Sequence, residues 1–336
     1  MRRILILFLF MMFTMFTGQV DARVIKIATL SPDGTMWMRV MREGAKDVAK
    51  QTNNKVRIKF YPGGVMGNDA AVLRKIRIGQ LHGGAFVSGS LSKFYPGNQV
   101  YNLPLIFKTY KEVDYVRKRM DPIILGGLEQ NGFVSFGLAE GGFAYLMSQK
   151  PVRSMEDLRE QKVWIPDNDQ TSLETLKTFD VSPVPLSLAD VRTALQTGLI
   201  DTVTISPVGA LALQWHTQVD YLTHIPLLYV YGMLAVDRKA FLKFSPENRT
   251  VLRDIMGKAF QRIDRQNRVD NDKALEALKR QGIQFIRPSM EALSRWQTTA
   301  SNVTQRLIRS GKLSKDIIDI LKGHLSEFRS KKLSSR

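Results

Sequence analysis

The spacing of apolar residues divides the chain into short strands alternating with helices. Residues 24–29 are rich in β-formers, and Ser31-Pro32-Asp33-Gly34 makes a turn that can open a helix. Over residues 35–51, Trp37, Val40, Met41, Ala45, Val48 and Ala49 recur at helical spacing. Residues 55–60 alternate strictly, as a half-buried strand does, until Tyr61-Pro62-Gly63-Gly64 stops them. A second helix is expected over about 68–78, with Val72 and Ile76 on its apolar face and Gly79 at its end, followed by a short buried strand over 83–88. This β-α-β-α-β order predicts an open α/β sheet with right-handed crossovers.

A second round starts near Phe133. Residues 133–138 and 143–148 read as two strands, and Lys150-Pro151 as a crossing between domains. A short helix over 155–159, a strand over 162–165 ended by Pro166, and a helix over 171–179 follow. The helix expected over 187–197 is given Ser187 as N-cap, Asp190 in the capping-box position and Gly198 as its stop. A strand over 200–205 closes at Ser206-Pro207, so the second domain also reads as α/β. The last third is mainly helical. Ser245-Pro246-Glu247 places a cap before a proline at the first helical position, and Leu252, Ile255, Ala259 and Ile263 continue the period. With Gly282 as the next stop, the helix runs to about Arg280 and is ~50 Å long. A helix over 290–309, a shorter one over 315–326 and a frayed tail over 330–336 complete the chain.

Arg2 and Arg3 precede an almost unbroken apolar run over residues 4–16, and the segment ends on Val20-Asp21-Ala22. This is the pattern of a cleavable secretory signal, and the run is short of the ~20 residues a membrane span needs. Cleavage after Ala22 would remove two basic residues and one acidic residue, lowering the net charge from +18 to +17. No later segment reads as a membrane helix, because charge, Gly or Pro breaks each long apolar stretch. A soluble envelope protein, exported by a cleavable signal, is expected, and export argues against a nucleic-acid partner despite a pI near 10.0. The absence of cysteine excludes disulfides, cysteine metal sites, a cysteine nucleophile and a lipidated N-terminal cysteine.

Known catalytic motifs are missing. There is no Gly-X-Ser-X-Gly elbow, His-Glu-X-X-His helix or Walker A loop. Pro62-Gly63-Gly64-Val65-Met66-Gly67 superficially resembles a dinucleotide turn, but Pro62 takes the first glycine position and the segment follows a second strand. It reads as a tight turn. His82, His216, His224 and His324 have no partner at ligand spacing, and Ser88 and Ser90 have no base nearby in sequence. No catalytic residue, metal or cofactor is therefore expected. The basic residues are dispersed: residues 249–280 hold nine basic and five acidic groups, and residues 309–336 hold eight and three. They read as solvated helical faces, with contact to an anionic membrane surface as the alternative. An exported, two-domain α/β chain of this kind suits capture of a small molecule in an interlobe cleft closed by a hinge.

Six segments, in order, resemble the solute-binding proteins of tripartite ATP-independent periplasmic (TRAP) transporters, the DctP type. They are VIKIATLSPDGTMW at 24–37, KVRIKFYPGGVMG at 55–67, IGQLHGGA at 78–85, LPLIF at 103–107, VPL at 184–186 and TALQTGLID at 193–201. The resemblance extends to about residue 287. It implies an α/β, type II-like periplasmic binding protein fold of two lobes with a long helix spanning both. Lobe I would comprise 23–148 plus about 233–288, and lobe II 149–232 plus about 289–329. It also implies delivery of a small-molecule ligand to the membrane subunits of an ion-driven TRAP permease. The oligomeric state is left as monomer or dimer, since some relatives dimerise through C-terminal helices.

The departures from the family pattern concern the ligand. The family's "I-R-V-P" reads Val163-Trp164-Ile165-Pro166, so Trp164 stands in place of an arginine. Its "G-F-R" reads Gly142-Phe143-Ala144, and the asparagine of its "Q-E-N-P" is replaced by Ser206 before Pro207. All three carboxylate contacts implied by the resemblance are absent, and neither Trp nor Ala can substitute for a bidentate arginine fork. A neutral or apolar site is expected, with Trp164 offering a flat face and one N–H donor. Trp37, Phe86, Phe143, Tyr145 and Trp215 lie in segments that could line the same cleft. The expected ligand is neutral, aromatic, lipid-like or cationic, the last through cation–π contact, rather than a simple dicarboxylate. Other readings stay open: a periplasmic sensor or scaffold subunit without a transport role, a lipid carrier using the basic helices, or a hydrolase with a triad in the cleft.

Overall fold

The computed structural model describes residues 23–167 and 169–334; the expected signal segment lies outside the described residues. A single sheet runs through the molecule. Its strands are β1 (Arg23–Thr29), β2 (Val56–Tyr61), β3 (Gly83–Val87), β4 (Phe133–Ser148), β5 (Val163–Pro166), β6 (Pro183–Leu186), β7 (Thr202–Ile205), β8 (Tyr221–Asp237) and β9 (Gln284–Ile286). The order is β2-β1-β3-β8-β4-β7-β5-β6, with β9 beside β8. One end is a parallel set, β2-β1-β3, and the other a second parallel set, β7-β5-β6. The long antiparallel pair β4 and β8 joins them. Residues 133–138 and 143–148 are thus one 16-residue strand rather than two, and its partner β8 has 17 residues.

Helices cover the sheet. α1 (Met36–Gln51) starts at Thr35, whose hydroxyl accepts from the Met38 N–H. α2 (Asp69–Arg77) starts at Asn68 in the same way. α3 (Tyr110–Gln130) follows, then α4 (Met155–Arg159), α5 (Gln170–Thr178), α6 (Val191–Gln196), α7 (Pro207–Ala212) and α8 (Arg238–Leu242). α9 (Pro246–Arg280) is the long helix, and α10 (Met290–Arg309) and α11 (Lys315–Ser334) end the chain. Three apolar clusters form the core. One lies between α1, β1, β2 and the first half of α9. A second joins α3, α10 and α11. The third surrounds Trp164 and Trp215. α9 crosses from the first cluster, through Leu252, Met256 and Ile263, to the third, through Leu278. Its approach to α1 is close: a Cβ on Gly44 would lie 3.1 Å from the Met256 sulfur.

Several local expectations are corrected. α6 begins at Val191, not Ser187, because the Ser187 hydroxyl bonds the Asp190 carboxylate at 2.6 Å instead of capping a helix. Ser206-Pro207 does close the strand before it, β7, and Ser206 in addition caps α7, with Pro207 at the first helical position. The last helix does not fray at residue 330 but continues to Ser334, and Arg329 fastens it by donating to Glu112 at 2.9 Å and to the Ile106 carbonyl at 3.0 Å.

Where β4 and β8 carry the chain between lobes, one carboxylate gathers four elements. Glu140 of β4 is fully buried. It accepts from Arg268 of α9 at 2.8 and 2.7 Å and from the Tyr229 hydroxyl of β8 at 2.9 Å. Arg117 of α3 lies 3.7 Å away and bonds Asp264 and Asp121, each at 2.9 Å. The backbone at the same point is held too: Glu140 N–H donates to Asp264, and Asn267 donates to the Glu140 carbonyl. The β4–β8 register shifts between Glu140 and Gly142, so ordinary ladder bonds do not fix this stretch.

Removing one partner of a buried ion pair strands the other, at a cost of about 3–5 kcal/mol. Glu140→Ala should lose that much stability in urea unfolding, whereas Asp33→Asn, which breaks the exposed pair with Arg42, should change little. An unchanged midpoint for Glu140→Ala would show that the network is not the fastening described.

Candidate functional site

A cavity of about 660 Å³ opens at the carboxyl ends of strands from both ends of the sheet, where ligands bind in open α/β folds. The loop after β1 contributes Leu30 and Pro32, and α2 contributes Asp69, Leu73, Arg74 and Arg77. The end of β3 and its following turn bring Phe86 to Ser90. From the other side come Trp164 to Pro166 of β5 and Asp167 just after it, Thr204 to Ser206 at the end of β7, and Leu227 and Leu228 of β8.

Four of the residues expected from the sequence meet here: Trp37, Phe86, Trp164 and Ser206. Ala144, Tyr145 and Trp215 do not line the cavity. Ala144 is fully buried in β4, paired with Leu228. The Tyr145 ring stacks on His224 at 5.8 Å, and His224 in turn meets Phe285. Trp215 is 1% exposed and sits behind Trp164 as an edge-to-face partner at 5.1 Å. Phe143 packs on Tyr110 in the core. Trp164 also differs from expectation in its polar edge: the indole N–H donates to the Leu186 carbonyl at 3.0 Å, so only the ring is left for a ligand. The Ser206 hydroxyl oxygen accepts from the Gly209 N–H at 3.3 Å.

Other cavity residues were not singled out from the sequence. Asp69 and Asp169 stand at helix starts. Asp169 does cap α5, accepting from Ser172 N–H at 3.0 Å, but it also accepts from Gln99 at 2.6 Å. A Cβ on Gly89 would come within 3.1 Å of its carboxyl carbon. Asp69 accepts from the Ser90 hydroxyl, and burial raises its carboxyl above the usual range, with the Ser90 bond opposing. Arg74 and Arg77 fell in a helix read only for its apolar face.

Asn271 ties the cavity wall to the lobe crossing. Its amide N–H donates to the Gly141 carbonyl at 3.0 Å, and its oxygen accepts from Val208 N–H at the start of α7 at 3.2 Å. Gly142, at φ +91°, leaves the room: a Cβ there would stand 2.6 Å from the Asn271 amide nitrogen. Among the described residues, no group of three His, Asp or Glu side chains could hold a metal ion.

A two-lobed α/β chain with a cleft at the strand ends defines the class of periplasmic solute-binding proteins. The profile of the bacterial extracellular solute-binding protein family 7, DctP, matches residues 27–310, and the chain belongs to that family. It is 27% identical over 219 residues to the uncharacterized protein YiiZ of Salmonella typhimurium, a match covering 62% of this chain and 64% of YiiZ. Its fold is similar to that of a TRAP periplasmic solute-binding protein from Xanthobacter autotrophicus with bound β-D-galacturonate, at TM-score 0.82, 17% identity and coverage of 90% and 99% of the two chains. A second, from Desulfovibrio salexigens with bound orotic acid, gives TM-score 0.83, 16% identity and the same coverage. Among the described residues no helix is long and apolar enough to cross a membrane.

The raised Asp69 carboxyl has a sign that can be checked. The folded chain holds this proton more tightly than the unfolded chain, so the group's contribution to stability falls as pH rises above its ordinary value of 3.8. Asp69→Asn should therefore raise the melting midpoint at about pH 7, and the gain should vanish below the ordinary carboxylate pKa. A variant no more stable than the parent near neutrality would contradict the burial.

Proposed function

We propose that the chain is the solute receptor of a TRAP transporter, exported to the periplasm by residues 1–22. It captures one small molecule between its lobes and hands it, chemically unchanged, to the membrane subunits of an ion-driven permease. The lobes are taken as 23–148 plus about 233–288 and 149–232 plus about 289–329. The observation that carries this reading is the 660 Å³ cavity lined from both ends of one sheet.

The ligand is read as a molecule with an apolar or aromatic body, not a simple dicarboxylate. Supporting this, Trp37, Phe86, Trp164, Leu30, Leu73 and Leu227 supply the walls. The two positions where the family resemblance implies arginine carry Ala144, closed off in β4, and Trp164, whose only donor is already bonded. An acid seated as in those relatives would meet an indole ring and no guanidinium. The structural relatives named above hold galacturonate and orotic acid, so sugar acids and small ring acids are the natural competitors to include in any test.

A thermal-shift screen of the mature protein should show larger stabilisation by acyl and aryl compounds than by succinate or galacturonate. Trp37 is half-buried at the cavity edge, and Trp37→Ala should weaken binding of the best apolar compound about tenfold, ~1.4 kcal/mol, without loss of the fold. Strong stabilisation by succinate alone would overturn the ligand class while leaving the receptor reading in place.

A further inference from the structure

The charged groups around the cavity are unevenly partnered. Of its four carboxylates, Asp69 accepts from Ser90, Asp169 from Gln99 and Ser172, and Asp270 from Gln266. The fourth, Asp167, is exposed on the turn after β5. Among the described residues, its three cations are Arg74, Arg77 and Lys93, and none of their side chains has an ion pair, hydrogen bond or ring contact. Arg74 and Arg77 are three residues apart on α2, which puts them on one face of the helix, and that face borders the cavity. Lys75, between them, is different: its ammonium donates to the Met66 carbonyl at 2.9 Å and does not line the cavity.

The cavity therefore has a direction. Its three cations are exposed, while Phe86 and Trp164 are 3% and 6% exposed. Among the described residues no cation reaches the buried wall: Ala144 and Trp164 occupy the positions where the family pattern has arginine. A cationic head beside α2 would meet Arg74 and Arg77, neither of which, among the described residues, is paired with one of the four carboxylates. A dicarboxylate would have to push its second charge onto an indole and a phenyl ring, which cannot repay its desolvation. A molecule with one charge at one end avoids both costs. Two guanidinium forks on one helix face suit a planar or tetrahedral oxyanion, and their exposure keeps the desolvation small.

We infer that the ligand is an amphiphilic acid. Its acyl or aryl body lies against Phe86 and Trp164, and its single anionic head, of the carboxylate, sulfonate or phosphate class, is gripped by Arg74 and Arg77 with Lys93 adding attraction. This rests on the apolar-body reading above and adds the head group to it.

The test compares matched acid and alcohol probes on the mature protein: octanoate with octanol, and phenylbutyrate with phenylbutanol, by isothermal titration, with galacturonate as reference. At least one acid should bind about tenfold more tightly than its alcohol, an advantage of ~1.4 kcal/mol. That advantage should shrink in about 0.5 M salt and disappear in Arg74→Gln/Arg77→Gln, with the alcohol's affinity unchanged. Both arginines are exposed, so the double variant should keep the parent's melting midpoint, and Lys75→Gln serves as the charge control. Alcohols binding as tightly as acids, or an acid preference that survives the double variant, would overturn the head-group inference alone. Binding of none of the four probes, whatever galacturonate does, would overturn the apolar-body reading with it.

Discussion

A fully buried carboxylate needs compensation on every side, and Glu140 obtains it from β8, α3 and α9 at once. The site sits where β4 and β8 pass between the lobes and where their register slips. Burial of an ion pair adds little net stability compared with an apolar replacement, but it is unforgiving about position. Arg117 and Arg268 arrive from separate helices, and the Asp264 and Asn267 contacts to the Glu140 backbone add a hydrogen-bonded frame. The crossing is thereby fixed in one place, although each strand is long enough to bend elsewhere.

The cleft follows from that fixed crossing. α9 leaves Glu140 and reaches Asn271 one turn later, and Asn271 holds both Gly141 and the first turn of α7. α7 is capped by Ser206, on the cavity wall. A continuous set of hydrogen bonds thus connects the point that joins the lobes with the surface that faces a ligand. Opposite it, α2 and the turn after β3 belong to the other end of the sheet. The cavity is thus lined by strand ends of two separate parallel sets that meet only through β4 and β8.

Much of this was legible in the chain, because helix caps and periodicity are local. Ser245-Pro246 marks the start of α9 and Gly282 its stop, and the structure agrees on Pro246–Arg280. The α2, α4 and α10 segments were equally plain. α3 escaped notice because Pro122 and two adjacent glycines interrupt it, and β8 because Pro226 and Gly232 break an otherwise continuous apolar run. Both depend on tertiary pairing rather than local preference. Trp164 and Ser206 stand out because they replace residues of the family pattern, and Trp37 and Phe86 because their segments flank the same cleft; all four line the cavity. Tyr145 and Trp215 looked equivalent, but a strand shows alternate residues to opposite faces, and Tyr145 turns to His224. Nothing in sequence distinguishes an indole that lines a cleft from one that packs behind it. The charged residues of α2 carry no signal for the opposite reason: helical periodicity marks only the apolar positions Val72 and Ile76, and says nothing of what the polar face meets.

The central claim is that the cleft holds a molecule by an apolar body between lobes fixed at Glu140. The most direct measurement is identification of what accompanies the protein when it is purified gently from a native-like host, by denaturing extraction and mass spectrometry. The account predicts about one equivalent of a compound with an acyl or aryl body. One equivalent of a small dicarboxylate or sugar acid would contradict it.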